Sequence, residues 1–159
     1  GPMVAGLILI ARSASAVTAE IGYMRLYSEF DALGAVNMSP VLTFLMPVVM
    51  AFTLSLPLMS FYFSLVCVLG AYGFVSVFNT DVITFEGFTR AFSENLGLAD
   101  VLVFTVKTTV GGFLIGITSV YFGHRVNDRF TEVSRAIASA NAAQLFGLFA
   151  INVFFIRLV

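Results

Sequence analysis

The chain has 159 residues, 59% of them hydrophobic and 11% charged, with a mean hydropathy of +0.99 and a net charge of −1. Soluble domains carry about 25% charged and roughly 45–50% apolar residues, so an ordinary water-soluble globule is excluded and an integral membrane protein remains. The near-neutral charge suggests no nucleic-acid partner, and no long stretch shows the apolar–polar alternation of membrane strands, which leaves helices to satisfy the backbone in lipid.

The first predicted element covers 3–19. It is apolar up to Arg12, turns small and polar at Ser13, Ala14, Ser15 and Ala16, and then becomes charged with Glu20, Arg25, Glu29 and Asp31. Only about nine apolar residues precede Arg12, fewer than the ~20 that cross a hydrocarbon core, so the element reads as a helix cut at its outer end. Arg12 and Glu20 are eight apart, two helical turns, and share a face. Two readings stand: a membrane-edge arginine with a solvated carboxylate, or a helix whose charged end in water is a place for another protein to push.

The second element, 41–78, lies in a stretch (32–80) of 49 residues with no charge at all. At 1.5 Å per residue its 38 residues would reach about 57 Å, against a core of ~30 Å. It is therefore a hairpin broken near Pro57, or one crossing with an interfacial lead-in and kinks at Pro47 and Pro57. Loop charges decide for the single crossing. The stretch 78–100 holds Asp81, Glu86, Glu94 and Asp100 against Arg90, whereas 123–135 holds Arg125, Arg129 and Arg135, and the first loop holds Arg12 and Arg25. The positive-inside rule puts the arginine-bearing loops in the cytoplasm and 79–100 outside. In that outer loop Phe85, Phe88, Phe92 and Leu96 recur at helical spacing, with Glu86, Arg90 and Glu94 four apart on another face. This predicts an amphipathic helix that lies on the outer surface or caps the bundle.

The third element, 101–122, carries Lys107 and a Gly112–Gly116 pair extended by Ser119 and Gly123, and the fourth, 136–159, carries Asn141, Gln144 and Asn152. Small residues at this spacing let helices pack closely in lipid. Lys107 either snorkels to the outer headgroups or faces an interior cavity where it meets a polar or anionic head group; the three amides line the same interior or bond between helices. Leu7 and Ile10 on the first element are apolar candidates for the same path. No catalytic residue and no metal site is expected: the single His124 stands beside Arg125, no ligand-spaced cluster exists, Cys67 reads as a small hydrophobe, and Gly111-Gly112 lacks a phosphate-loop context. An ion-coupled transporter would want carboxylates within the spans, which have none.

Beyond these readings, Gly1-Pro2, Ala5, Arg12, Ser15-Ala16, the run from Thr18 to Gly22, Met24, Glu29 and Leu33 form a block that resembles the signature of MlaE-type permeases. The resemblance continues through Pro40, Pro47, Ala51 and Leu56-Pro57-Leu58, and more weakly at Lys107 and Arg135-Ala136. Departures are Ala11 and Ala14 where the family usually has glycine, Leu42 and Val48 where it often has basic residues, and a glycine-poor 123–134. The resemblance implies an all-α polytopic permease domain over 1–159: four transmembrane segments here, a cytoplasmic coupling segment at 20–36, and an N-terminal part of the family's fold that this chain lacks. It implies a bacterial inner-membrane homodimer that moves phospholipid, a periplasmic MCE-domain partner, and a separate ATPase that binds the ATP, so that the chain needs no cofactor. Arg12, Glu20, Gly22, Arg25 and Glu29 would then be the coupling residues, Leu7, Ile10, Lys107, Gln144 and Asn152 the lipid-path candidates, and Gly112 and Gly116 packing positions. The alternative is a structural subunit of such a complex with no path of its own.

Overall fold

The computed structural model describes residues 2–78, 86–87, 89–90, 97–127 and 129–156, and among these no strand occurs. Among the described residues four helices are long and apolar enough to cross a membrane: Met3–Leu26, Val41–Val77, Leu98–His124 and Phe130–Ile156. The fold is thus an all-α polytopic bundle. The expected amphipathic helix in 79–100 lies almost wholly outside the described residues; 86–87 and 89–90 are helical.

The first crossing is α1 (Pro2–Leu9), a wide π turn (Ile10–Ala14) and α2 (Ser15–Leu26) in unbroken succession. Arg12 falls in the π turn. The cause of the wide turn is visible at Ser15, whose backbone N–H donates to the Ile10 carbonyl five residues back and whose Oγ donates to the same oxygen at 2.9 Å. The crossing does not stop at residue 19, because polar turns outside the lipid cost a helix nothing; it continues through Glu20 and Arg25 to Leu26. Ser28, with φ 55°, reverses the chain into the short α3 (Glu29–Ala35).

A second π turn (Val41–Leu45) leads into α4 (Met46–Phe78), 33 residues in one helix that continues through Pro57. The single crossing expected from loop charges is what forms. The wide turn sits where the Pro47 ring would otherwise meet the carbonyl four residues back, and Met46 N–H donates to Val41 O instead. At about 50 Å, α4 exceeds the hydrocarbon thickness and must tilt or protrude.

Helix α5 (Leu98–His124) begins where the Asp100 carboxylate accepts Gly97 N–H at 3.1 Å. Asn127 N–H beyond its end donates to Glu132 Oε2 at 2.9 Å, and α6 (Phe130–Ile156) runs back. All four crossings meet in one core of Leu9, Ile10, Ala14, Phe52, Leu56, Ile115 and Leu148.

Helix α5 is the central element, and its small residues face three different neighbours. A Cβ on Gly112 would meet the backbone of Phe52 and Thr53, and one on Gly116 would stand 2.9 Å from Val49 Cα, all on α4. Ser119 Oγ accepts from Gln144 Nε2 of α6 at 2.8 Å. Gly123 lies against α2, where a Cβ would come within 2.8 Å of Ile21 Cβ and 3.0 Å of Thr18 O. Close backbone approach replaces the hydrophobic drive that lipid removes.

Candidate functional site

Most of the charged residues of the four crossings and their turns gather at one end of the bundle, with Asp100 and Lys107 towards the other. There α2, α3, the end of α5 and the start of α6 converge on two small cores. Phe30 of α3 is buried with Ile21 and Leu45, backed by Met24, Leu33 and Val120. Val126 and Val133, from the α5–α6 turn and α6, pack with Ala136 against Ala19. Two aromatic pairs tie the same elements together: Phe30 meets the His124 ring edge-on with centroids 5.4 Å apart, and Tyr27 meets Phe130 at 6.4 Å. The reversal at Ser28 therefore touches both neighbouring helix ends, α5 through Phe30 and α6 through Tyr27.

Glu20, Arg25 and Glu29 are all exposed here, as is Arg12 about two turns deeper in the π turn. Gly22 is placed differently. It is buried, and a Cβ there would stand 3.2 Å from Val126 and 3.5 Å from Val133; its geometry sets the approach of α2 to the α5–α6 turn. Glu20 and Arg25 do not share a face, since five residues at 100° each put them about 140° apart around α2. The face of Glu20 also carries the exposed Tyr23 and Tyr27, which the charge pattern alone does not single out although their three- and seven-residue offsets from Glu20 are plain.

Within the bundle the lipid-path candidates separate. Leu7 is exposed on the outer face, whereas Ile10 is 2% exposed and belongs to the common core. Lys107 is half-buried. Gln144 is fully buried and donates from Nε2 to Ser119 Oγ and to Ile115 O at 3.3 Å, while its Oε1 has no protein partner. Asn152 donates to Leu148 O of its own helix. Asn141, not among those five, shares the single Ser15 hydroxyl hydrogen with Ile10 O, its Oδ1 3.0 Å from Ser15 Oγ, and ties α6 to the π turn beside Arg12. None of the described cavities is lined by Leu7, Ile10, Lys107, Gln144 or Asn152. No group of three or more metal-ligating side chains occurs among the described residues.

The bundle leaves a cavity of about 790 Å³ at its charged end, between the start of the second crossing and the end of α5. A second, of about 370 Å³, opens at the other end between α4 and α5 and is almost wholly apolar, lined by Phe61, Leu65, Val68, Val101 and Phe104 with Asp100 at its edge.

Residues 1–158 match the family model described as Permease MlaE. The chain is similar to a probable ABC transporter permease protein of Rickettsia prowazekii, with 32% identity over 140 residues, 88% of this chain and 53% of that protein. Probable ABC transporter permease proteins of Rickettsia typhi and Rickettsia felis match at the same identity and coverage. The chain thus spans about half the length of the curated relatives it matches.

Proposed function

This chain belongs to the MlaE permease family, and from that premise we propose that it is the membrane-spanning part of an ABC transporter permease subunit that moves phospholipid. The observation that carries the reading is the charged end of the bundle. An exposed acidic and aromatic face on α2 and α3 is fastened through Phe30, Tyr27, Gly22 and Gly123 to the ends of α5 and α6. A partner that seats on Glu20 and Glu29 moves two crossings as one body. The partner we infer is a cytoplasmic ATPase that binds and hydrolyses the ATP, so that this subunit has no catalytic residue or cofactor of its own. Arg12 and Arg25 lie towards the same end, and the excess of arginine there supports a cytoplasmic orientation; in this reading the membrane is the bacterial inner membrane.

The lipid path is a property of an assembly in this reading. The five path candidates are spread over a surface, a core and two helix faces of one chain, so a second copy would complete the cavity, with a periplasmic MCE-domain protein at the opposite mouth. Reversal of charge at Glu20 tests the proposal. In the full-length protein expressed with its ATPase, Glu20→Arg is expected to abolish copurification of the ATPase while the permease still elutes as a folded, monodisperse species. Undiminished copurification would overturn it. ATP-dependent movement of labelled phospholipid by the assembled complex in vesicles would support a transporting subunit over a purely structural one.

A further inference from the structure

The cavity of about 790 Å³ at the charged end has a two-part lining. Its rim is basic, with Arg25 from α2 and His124 and Arg125 from the end of α5; its floor is apolar, with Leu45, Ile117 and Val120. No carboxylate is among its described lining residues; Glu29 and Asp31 are exposed on α3 outside it, and the Glu132 carboxylate accepts the backbone N–H of the lining Asn127 at 2.9 Å without itself lining the cavity. The guanidinium of Arg125 is pre-positioned: Nη1 donates to Tyr121 Oη at 3.2 Å and Cζ lies 5.9 Å from the Tyr121 ring centroid. Ile117 and Tyr121 are 44% and 55% exposed on the flank of α5, so the floor opens sideways towards lipid and not only towards water. From His124 down to Ile117 is two helical turns, about 10 Å, within the ~15 Å depth of one hydrocarbon leaflet.

We propose that this groove binds an anionic phospholipid of the surrounding leaflet, with the phosphate held by Arg25 and Arg125 beside His124 and the upper part of an acyl chain laid over Leu45, Ile117 and Val120. Guanidinium groups suit the phosphate because their planar donors pair with two of its oxygens at once. The apolar floor at membrane depth selects a lipid over a free anion, which would gain nothing from it. The site needs only the membrane-spanning fold and does not depend on the transport reading. Arg25 thereby faces a groove and not the Glu20 face of α2.

Native mass spectrometry of the full-length protein, released from detergent after titration with phosphatidylglycerol or with phosphatidylcholine of the same acyl chains, tests this. The wild-type protein is expected to retain phosphatidylglycerol in preference to phosphatidylcholine, and millimolar inorganic phosphate is expected not to displace it. The double variant Arg25→Gln, Arg125→Gln should retain phosphatidylglycerol about thirty-fold less well, each basic group near the surface being worth roughly fivefold. Lysine at both positions should keep the preference, and Ile117→Trp, which fills the floor and leaves both charges, should weaken retention. Equal retention of the two lipids, or of phosphatidylglycerol by wild type and glutamine variant, would overturn the proposal. So would displacement by phosphate, which would mark a free-anion site. Loss of ATPase copurification in the glutamine variant with lipid retention unchanged would make the groove a seat for an acidic protein segment and would equally overturn it.

Discussion

Replacing Gly112 by alanine adds one methyl group at the tightest point of the bundle. The new Cβ would stand 3.0 Å from Thr53 Cα and 3.1 Å from Phe52 C, and closer still to the Phe52 carbonyl oxygen. All three neighbours are backbone atoms of α4, so no rotamer change relieves the contact, and the two helices must separate by several tenths of an ångström. Overpacking of this kind costs about 1–3 kcal/mol, and a backbone neighbour puts Gly112 at the upper end. Alanine returns roughly 0.5–1 kcal/mol through its better helix propensity, which leaves a net loss of about 2 kcal/mol. Gly70→Ala on α4 is the matched control, because a Cβ there meets nothing within 4 Å. Thermal unfolding in detergent, followed by intrinsic tyrosine fluorescence or by loss of monodisperse protein, should show Gly112→Ala melting several degrees below wild type and Gly70→Ala at or above it. If the two variants melt together, the close α4–α5 contact is not what holds the bundle, and the reasoning fails.

Gln144→Leu should cost less than about 1 kcal/mol despite complete burial, since buried interhelical polar bonds in membranes average about 0.6 kcal/mol and its Oε1 already lacks a protein partner; a melting loss as large as that of Gly112→Ala would show that the amide does more than these bonds. Phe30→Ala removes the side chain that anchors α3 and should cost about 3 kcal/mol locally, seen as faster hydrogen exchange over 27–37 with α4 and α5 unchanged; unaltered exchange there would refute the anchoring role. Ser15→Ala removes the hydroxyl that bonds Ile10 O and Asn141 Oδ1, and a melting loss of about 1 kcal/mol is expected, smaller in an Asn141→Ala background; equal losses in both backgrounds would deny the coupling between them.

The uncharged run at 32–80 makes the membrane solvent legible at once, and loop charges resolve one crossing from a hairpin because arginine is unevenly shared between the two ends. Helix ends are less legible. Hydropathy falls at Glu20 at the end of the first crossing and, for the fourth, rises only after Arg135, yet the first helix runs on to Leu26 and the fourth starts at Phe130, because turns that emerge into water keep their backbone bonds whatever their side chains. Arg12 interrupts the apolar count but not the helix, which absorbs it in a wide turn held by Ser15. The stripe of Gly112, Gly116, Ser119 and Gly123 is plain in the sequence; that its members address α4, α6 and α2 in turn is not, since spacing along one helix carries no information about which neighbour stands opposite. The division of Glu20 from Arg25 follows from 100° per residue and needs only their spacing. The basic groove is a different matter, because His124 and Arg125 come from a helix about a hundred residues further along.

The proposed function turns on a cytoplasmic ATPase seated on the charged end of the bundle at α2 and α3. A photo-reactive amino acid placed at Glu29 of the full-length protein, in membranes that also contain the ATPase, measures this most directly, with Val77 at the far end of α4 as the comparison. An ATPase adduct is expected from position 29 and none from position 77. An adduct from 77, or none from 29 while the complex remains assembled, would contradict it.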